Sequence, residues 1–348
     1  MRTPWLTIRS RSLPISFRVN WRVPLVLLVL SLLTGLVLLI NIGRGEYPIA
    51  PLEVFKTIFG FGAVNPDHAF VINTLRLPRS ITAFLVGTGL AVSGAILQGL
   101  TRNPLAAPDI VGINAGASLA AVSLIILAPA APAILLPIAA FGGALSVAVL
   151  VYLLAWGQGN SPMRLVLVGI GIAAIAGALT TLMLAVGEIN SASQALIWMA
   201  GSVYGSTWTQ IATLLPWLII LLPLAWLLSR DLNVLHLGSQ VAQGLGSQVK
   251  WQQTRLLCIS VALAGATAAA AGNVGFVGLM APHLARQLVG ASYEGLLPTA
   301  ALLGGLMVTL GDLIGRTAFP PTELPCGVIT SIAGAPYFLY LLYRDRHR

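Results

Sequence analysis

The stretch IVGINAGASLAAVSLIILAPAAPAILLPIAAFGGALSVAVLVYLLAWGQGNSPM, Ile110–Met163, runs for 54 residues without one Asp, Glu, Lys or Arg. A helix crossing about 30 Å of hydrocarbon needs about 20 mostly apolar residues. This run is therefore too long for one buried core helix and holds two membrane spans, parted at the proline-rich APAAP turn. The rest of the 348-residue chain agrees, with 57% hydrophobic and 8% charged residues and a mean hydropathy of +0.89. A soluble domain carries roughly 25% charged residues. So few charges exclude a soluble enzyme, a disordered tail and a nucleic-acid binder.

Working outward on the same criterion, ten spans are expected, at 23–41, 80–101, 109–128, 131–156, 163–187, 209–229, 255–271, 274–289, 296–315 and 325–343. The class is an all-α polytopic membrane protein of about ten transmembrane helices. The membrane-spanning body covers 23–343, with an N-terminal tail at 1–22 and a C-terminal tail at 344–348. The first span is too long for a cleaved signal and lacks a small-residue cleavage pattern before Arg44.

The net charge of +9 reads as topology. Cytoplasmic loops are enriched in Lys and Arg. With ten spans, one side holds Arg2, Arg9, Arg11, Arg18, Arg22, Arg102, Arg164, Arg230, Lys250, Arg255, Arg286, Arg344, Arg346 and Arg348, and the other only Arg44, Lys56, Arg76, Arg79 and Arg316. Both termini are expected in the cytoplasm. On the outer side, Leu52, Phe55 and Phe59, closed by Gly60, predict a short amphipathic helix at the interface, and 190–207 has room for a second half-helix.

Several chemistries are missing. Lys56 and Lys250 lack the glycines of a phosphate-binding loop. No Cys or His pair has zinc-ligand spacing, and His68, His236, His283 and His347 are scattered. Cys258 and Cys326 fall in apolar segments and read as small hydrophobes. Neither a catalytic nor a resident metal or cofactor site is expected. Asp109, Glu188 and Asp312 read as charges at helix ends, with Asp312 placed to pair with Arg316 at i,i+4. A bare transition metal needs carboxylate, imidazole or thiolate ligands, so metal cargo would have to travel inside a chelator.

Small residues concentrate within spans, at Gly87, Gly89 and Gly94, at Gly169, Gly171 and Gly177, and at Gly265 with Ala268–Ala271. They let helices approach closely where lipid gives no hydrophobic drive. On the cytoplasmic side, residues 230–253 (RDLNVLHLGSQVAQGLGSQVKWQQ) are too long for a minimal connector. Gly238 and Gly246 bracket about two helical turns, with Val241 and Leu245 on one face and Ala242 and Gly238 allowing close approach. Such a stripe suits a groove in another protein or the membrane surface.

Three stretches carry a resemblance: LRLPRSITAFLVGTGLAVSGAILQGLTRNPLAAPDIVGINAGA (Leu75–Ala117), GSQVAQGLG (Gly238–Gly246), and GFVGLMAPHLAR (Gly275–Arg286) with ELPCGVITSIAGAPYFLYLLY (Glu323–Tyr343). Across about 23–343 the chain resembles the ten-helix permease subunits of ATP-binding-cassette importers for iron–siderophores and cobalamin. That resemblance implies an inverted-repeat, type II importer permease, spans two to five against seven to ten. It also implies partners: two ATPase subunits, a second permease of the same or a paralogous chain, and an outer siderophore-binding protein. Its ATPase-coupling loop maps to Gly238, Val241, Ala242, Leu245 and Gly246, though Ser239 and Gln240 stand where the family usually has an acidic residue. Its docking arginines map to Arg76, Arg79 and Arg316. Trp198–Trp208 and Pro108–Ala117 resemble ferric-siderophore permeases more than those for cobalamin or haem. The implied place is a bacterial inner membrane.

Overall fold

The computed structural model describes residues 5–9, 16–45, 47–61, 65–155 and 162–345. Arg2, Arg11, Arg346 and Arg348, and with them the last three positions of the expected C-terminal tail, lie outside the described residues. Within the expected N-terminal tail, strands β1 (Trp5–Arg9) and β2 (Ser16–Asn20) pair antiparallel, Trp5 opposite Asn20. Among the described residues, every regular element after them is a helix.

Helices α1 (Arg22–Gly43) and α2 (Pro51–Phe59) come first. A continuous rod follows, made of α3 (Pro66–Phe70), one π-helical stretch (Val71–Arg76) and α4 (Leu77–Thr101). Then come α5 (Ile113–Leu127), α6 (Leu135–Ala155), α7 (Pro162–Val186), α8 (Ile189–Met199) and α9 (Trp208–Leu227). Two short helices, α10 (Ser229–His236) and α11 (Ser239–Gly244), lead to α12 (Val249–Ala271), α13 (Val277–Val289), α14 (Tyr293–Thr317) and α15 (Cys326–Asp345). Each expected span finds its helix in α1, α4, α5, α6, α7, α9, α12, α13, α14 or α15. The short outer helices anticipated at 52–59 and within 190–207 are α2 and α8. Gly60 closes α2 in the left-handed region, φ 71°, where a side chain would be strained.

Two boundaries differ for physical reasons. The helical rod that carries the second span begins at Pro66, well before residue 80, so Arg76 and Arg79 lie on a helix and not in an irregular outer loop. Pro78 looks like a helix start, because its ring removes a backbone donor. Here the π-helical stretch precedes it, and the carbonyl of Asn73, five residues before Pro78, accepts the Trp208 indole N–H at 2.8 Å. Conversely, α5 and α13 are only 15 and 13 residues long, because irregular chain takes up part of the depth. Residues 102–112 climb back beside α4 until Pro108 meets Gly278, which itself abuts Gly94 in the body of α4. Non-helical backbone is tolerated at membrane depth when protein covers it, and Ala106, Ala107, Pro108 and Val111 are buried.

The core is built on α4. It packs on α14, α12 and α13, and a Cβ added to Gly87 or Gly94 would strike the carbonyl of Gly304 or Gly278. Ser93 and Ser260 exchange hydroxyl and carbonyl hydrogen bonds between α4 and α12 at 2.8–2.9 Å, which satisfies buried polar groups that lipid cannot. Exchanging α4, α5, α6 and α7 with α12, α13, α14 and α15 maps the packing onto itself: α4 on α14 with α12 on α6, α5 on α6 with α13 on α14, α5 on α7 with α13 on α15. Since α12 comes five spans after α4, the second half runs in the opposite direction, giving an inverted repeat.

Candidate functional site

Two clusters lie at opposite ends of the bundle. At the end where α4 begins, Arg76, Arg79 and Arg316 are 7–9% exposed. Arg79 donates from Nε and Nη2 to Asp312 Oδ1 at 2.8 and 2.7 Å, and from Nη1 to Glu323 Oε2 at 2.8 Å. Its guanidinium also sits 5.4 Å from the centre of the Tyr204 ring, within cation–π range. The other Asp312 oxygen accepts from Asn41 Nδ2 at 3.3 Å.

Arg316 does not pair with Asp312 as the i,i+4 spacing predicts. The aspartate is taken across the bundle by Arg79, while Arg316 turns to the end of α1 and donates from Nη2 to the Asn41 carbonyl and side-chain oxygen. Arg76 donates to the Ile42 carbonyl at 2.9 Å and the Tyr47 carbonyl at 2.6 Å. A helix leaves its last four carbonyls without intrahelical partners. Those of α1 are all met: Ile40 by the Arg44 N–H, Asn41 by Arg316, Ile42 by Arg76 and Gly43 by the Ile49 N–H. Gly45, at φ 147°, has no room for a Cβ, which would lie 2.7 Å from Arg76 Nη2.

Three guanidiniums thus face two carboxylates among the described residues, and Arg316 Nε is buried with no hydrogen-bond partner. Asn41, Asp312, Tyr204 and Glu323 complete a site of which the sequence flagged the three arginines and, as the expected partner of Arg316, Asp312. Glu323 heads one of the quoted stretches, yet nothing local ties it to Arg79, 244 residues away.

The other cluster forms around α11, where α4 ends and α12 begins. Gly238 and Gly246, both with positive φ (109° and 82°), bracket the helix. Leu237, Val241 and Leu245 are exposed at i,i+4,i+8, Leu245 to 65%. Ala242 turns the other way and is fully buried against the chain's own core, so the close approach it permits is to the permease itself. Beside α11 lies a depression of about 440 Å³ lined by Gln243, Gln248, Trp251 and Thr254 among others. Asn233 holds the loop to α14, donating to Glu294 Oε2 at 2.7 Å and accepting from the Tyr293 N–H at 3.0 Å. Burial raises the Asp231 carboxyl above its ordinary value, opposed by Arg255 at 3.7 Å. Burial, followed by the charges of Arg286 and Arg102, lowers the His236 imidazole.

Asp109 lies in the climbing stretch and not at the start of α5, where Gly112 is the N-cap. It accepts from the Asn114 amide, which also donates to Asn273 at 2.9 Å beside a cavity of about 420 Å³. Glu188, by contrast, sits directly before α8 as its N-cap.

The profile described as the FecCD transport family matches residues 30–344. The siderophore transport system permease protein YfhA of Bacillus subtilis (strain 168) is 47% identical over 329 residues, 93% of this chain and 95% of that protein. The Fe(3+)-citrate import system permease protein YfmE of the same organism is 42% identical over 322 residues, 91% and 94%. Among solved structures, an inward-facing metal-chelate type ABC transporter superposes with a TM-score of 0.83 at 29% identity, over 92% of this chain and 99% of that one.

Proposed function

The chain belongs to the FecCD transport family, and from that premise we propose that it is the transmembrane permease of an ATP-driven importer whose cargo is a ferric siderophore. The observation that carries the cargo class is similarity over nearly the whole chain to permeases named for a siderophore and for ferric citrate. The ATP-driven part rests on the exposed Leu237, Val241 and Leu245 row, an apolar face of the kind that inserts into a partner's groove. In this reading two ATPase subunits seat α11 with Gly238, Val241, Leu245 and Gly246, while Ala242 fixes the helix to the bundle. A second permease completes the path, and a siderophore-binding protein docks at the arginine end. The excess of Lys and Arg supports a reading with α11 and both termini in the cytoplasm of a bacterial cell and the arginines outside the inner membrane.

Docking falls mainly on Arg79. Arg76 and Arg316 are committed to the carbonyls of α1, whereas one of Arg79's two partners is half-open to solvent. Arginine suits bidentate carboxylate contacts, and complementary charge speeds encounter. The coupling motion of the ATPases then opens the path to one side at a time, and the chelate passes without chemical change.

The test is uptake of radio-iron by a strain lacking this chain, with and without it restored, across a panel of ferric chelates, haem and cobalamin. Restoration by one or more ferric siderophores is expected. Restoration by cobalamin or haem alone would overturn the cargo class. Transport by vesicles holding only this chain under a proton or sodium gradient would overturn the ATP-driven reading.

A further inference from the structure

We propose that Glu323 is an exchangeable counter-ion, holding on Arg79 the place that a carboxylate of the docking protein takes when it binds. This rests on the docking reading above and adds the device by which docking is felt inside the chain. Arg79 divides its donors unequally. Asp312 has a side chain only 2% exposed and a second hold from Asn41, whereas the Glu323 side chain is 31% exposed and, among the described residues, accepts from Arg79 Nη1 alone. The partly exposed Glu323 carboxylate regains water when it leaves Arg79, whereas freeing Asp312 would strand a buried charge. Glu323 is therefore the weak member.

Among the described residues, the buried Arg316 Nε has no hydrogen-bond partner, and Asp312 keeps its own hold on Arg79 when another carboxylate takes the place of Glu323. Tyr204, 71% exposed on Arg79, marks the open side from which it would arrive. Glu323 stands in the non-helical stretch 318–325 between α14 and α15. Its neighbour Leu324 donates to the Gly315 carbonyl at 2.9 Å, and Gly327, at the start of α15, donates to Gly201 at 3.0 Å. Releasing the Glu323 side chain thus loosens the link that positions α15 while the backbone bonds still hold its course.

An internal carboxylate that occupies Arg79 most of the time reduces apparent affinity by the fraction of time the site is open. In the assembled importer in nanodiscs, Glu323→Gln is expected to bind the loaded siderophore-binding protein about fivefold more tightly at low salt, with an unchanged melting temperature. Glu323→Asp, which keeps the charge, should stay near wild type. Binding by E323Q that is unchanged or weaker, or failure of E323Q to assemble, would overturn the proposal, since Glu323 would then be a structural support. Cross-linking from Tyr204→Cys to the binding protein separates this from the docking reading. No cross-link in the otherwise wild-type complex means docking occurs elsewhere. A cross-link with no gain of affinity in E323Q defeats the exchange alone.

Discussion

Replacing Asp312 with Asn leaves the Arg79 guanidinium inside the protein with a neutral amide where a carboxylate stood at 2.7 Å. Breaking a buried pair by removing one charge costs about 3–5 kcal/mol, because the stranded charge stays desolvated. Glu323 offsets part of this, so D312N is expected to destabilise the chain by about 3 kcal/mol, seen as a lower melting temperature in nanodiscs. The double variant Arg79→Gln with Asp312→Asn should lie closer to wild type than D312N alone. If D312N melts with the wild type, the pair does not hold the outer end together. Of these residues the sequence exposed the arginines, because cations on the sparsely charged side stand out in a count of loop charges. It offered the wrong partner for Asp312, since i,i+4 spacing considers only the helix's own surface, and the competing arginine comes from 233 residues away.

At the scale of elements, α11 is a helix too short to be stable alone. It is held by buried Ala242 and by glycines at φ values that other residues rarely adopt. Its exposed row is free to act on a partner. Val241→Glu with Leu245→Glu places two charges on that row and removes nothing from the core. The expectation is a normally folded chain that co-purifies with its ATPases at least tenfold less well and loses most chelate-stimulated ATP hydrolysis, since charge at an apolar interface core is costly. Unchanged ATPase recovery would place coupling elsewhere. Bracketing glycines and i,i+4 apolar residues made this helix legible beforehand. The direction of Ala242 was not, because the face a short helix buries depends on what stands behind it.

For the molecule as a whole, the exchange-symmetric packing leaves α7 at the margin. Leu167, Ile170, Ile175, Leu179, Leu182 and Val186 are exposed along it, and Gly171 and Gly177 have nothing of this chain within 4 Å of where a Cβ would stand. Lipid-facing helices need no such glycines, whereas helix–helix contacts in membranes favour small residues. Native mass spectrometry of the complex is expected to show two permease chains, the same or paralogous. A single permease chain bound to ATPases would refute a two-chain path.

The helices that carry the ten expected spans, and the expectation of which loops face the cytoplasm, came from the sequence by itself. Those properties depend on the transfer of each segment from water to hydrocarbon and on loop charge, and both are sums over neighbours in the chain. The tertiary structure alone decided that the helix of the second span starts before Pro78, that 102–112 climbs into the bundle, and that Arg76 and Arg316 cap α1 while Arg79 bridges Asp312 and Glu323. Each of these depends on a backbone or charged group finding its partner across the bundle. In a medium without water, that partner is chosen by which helices come close, and spacing along the chain does not record it.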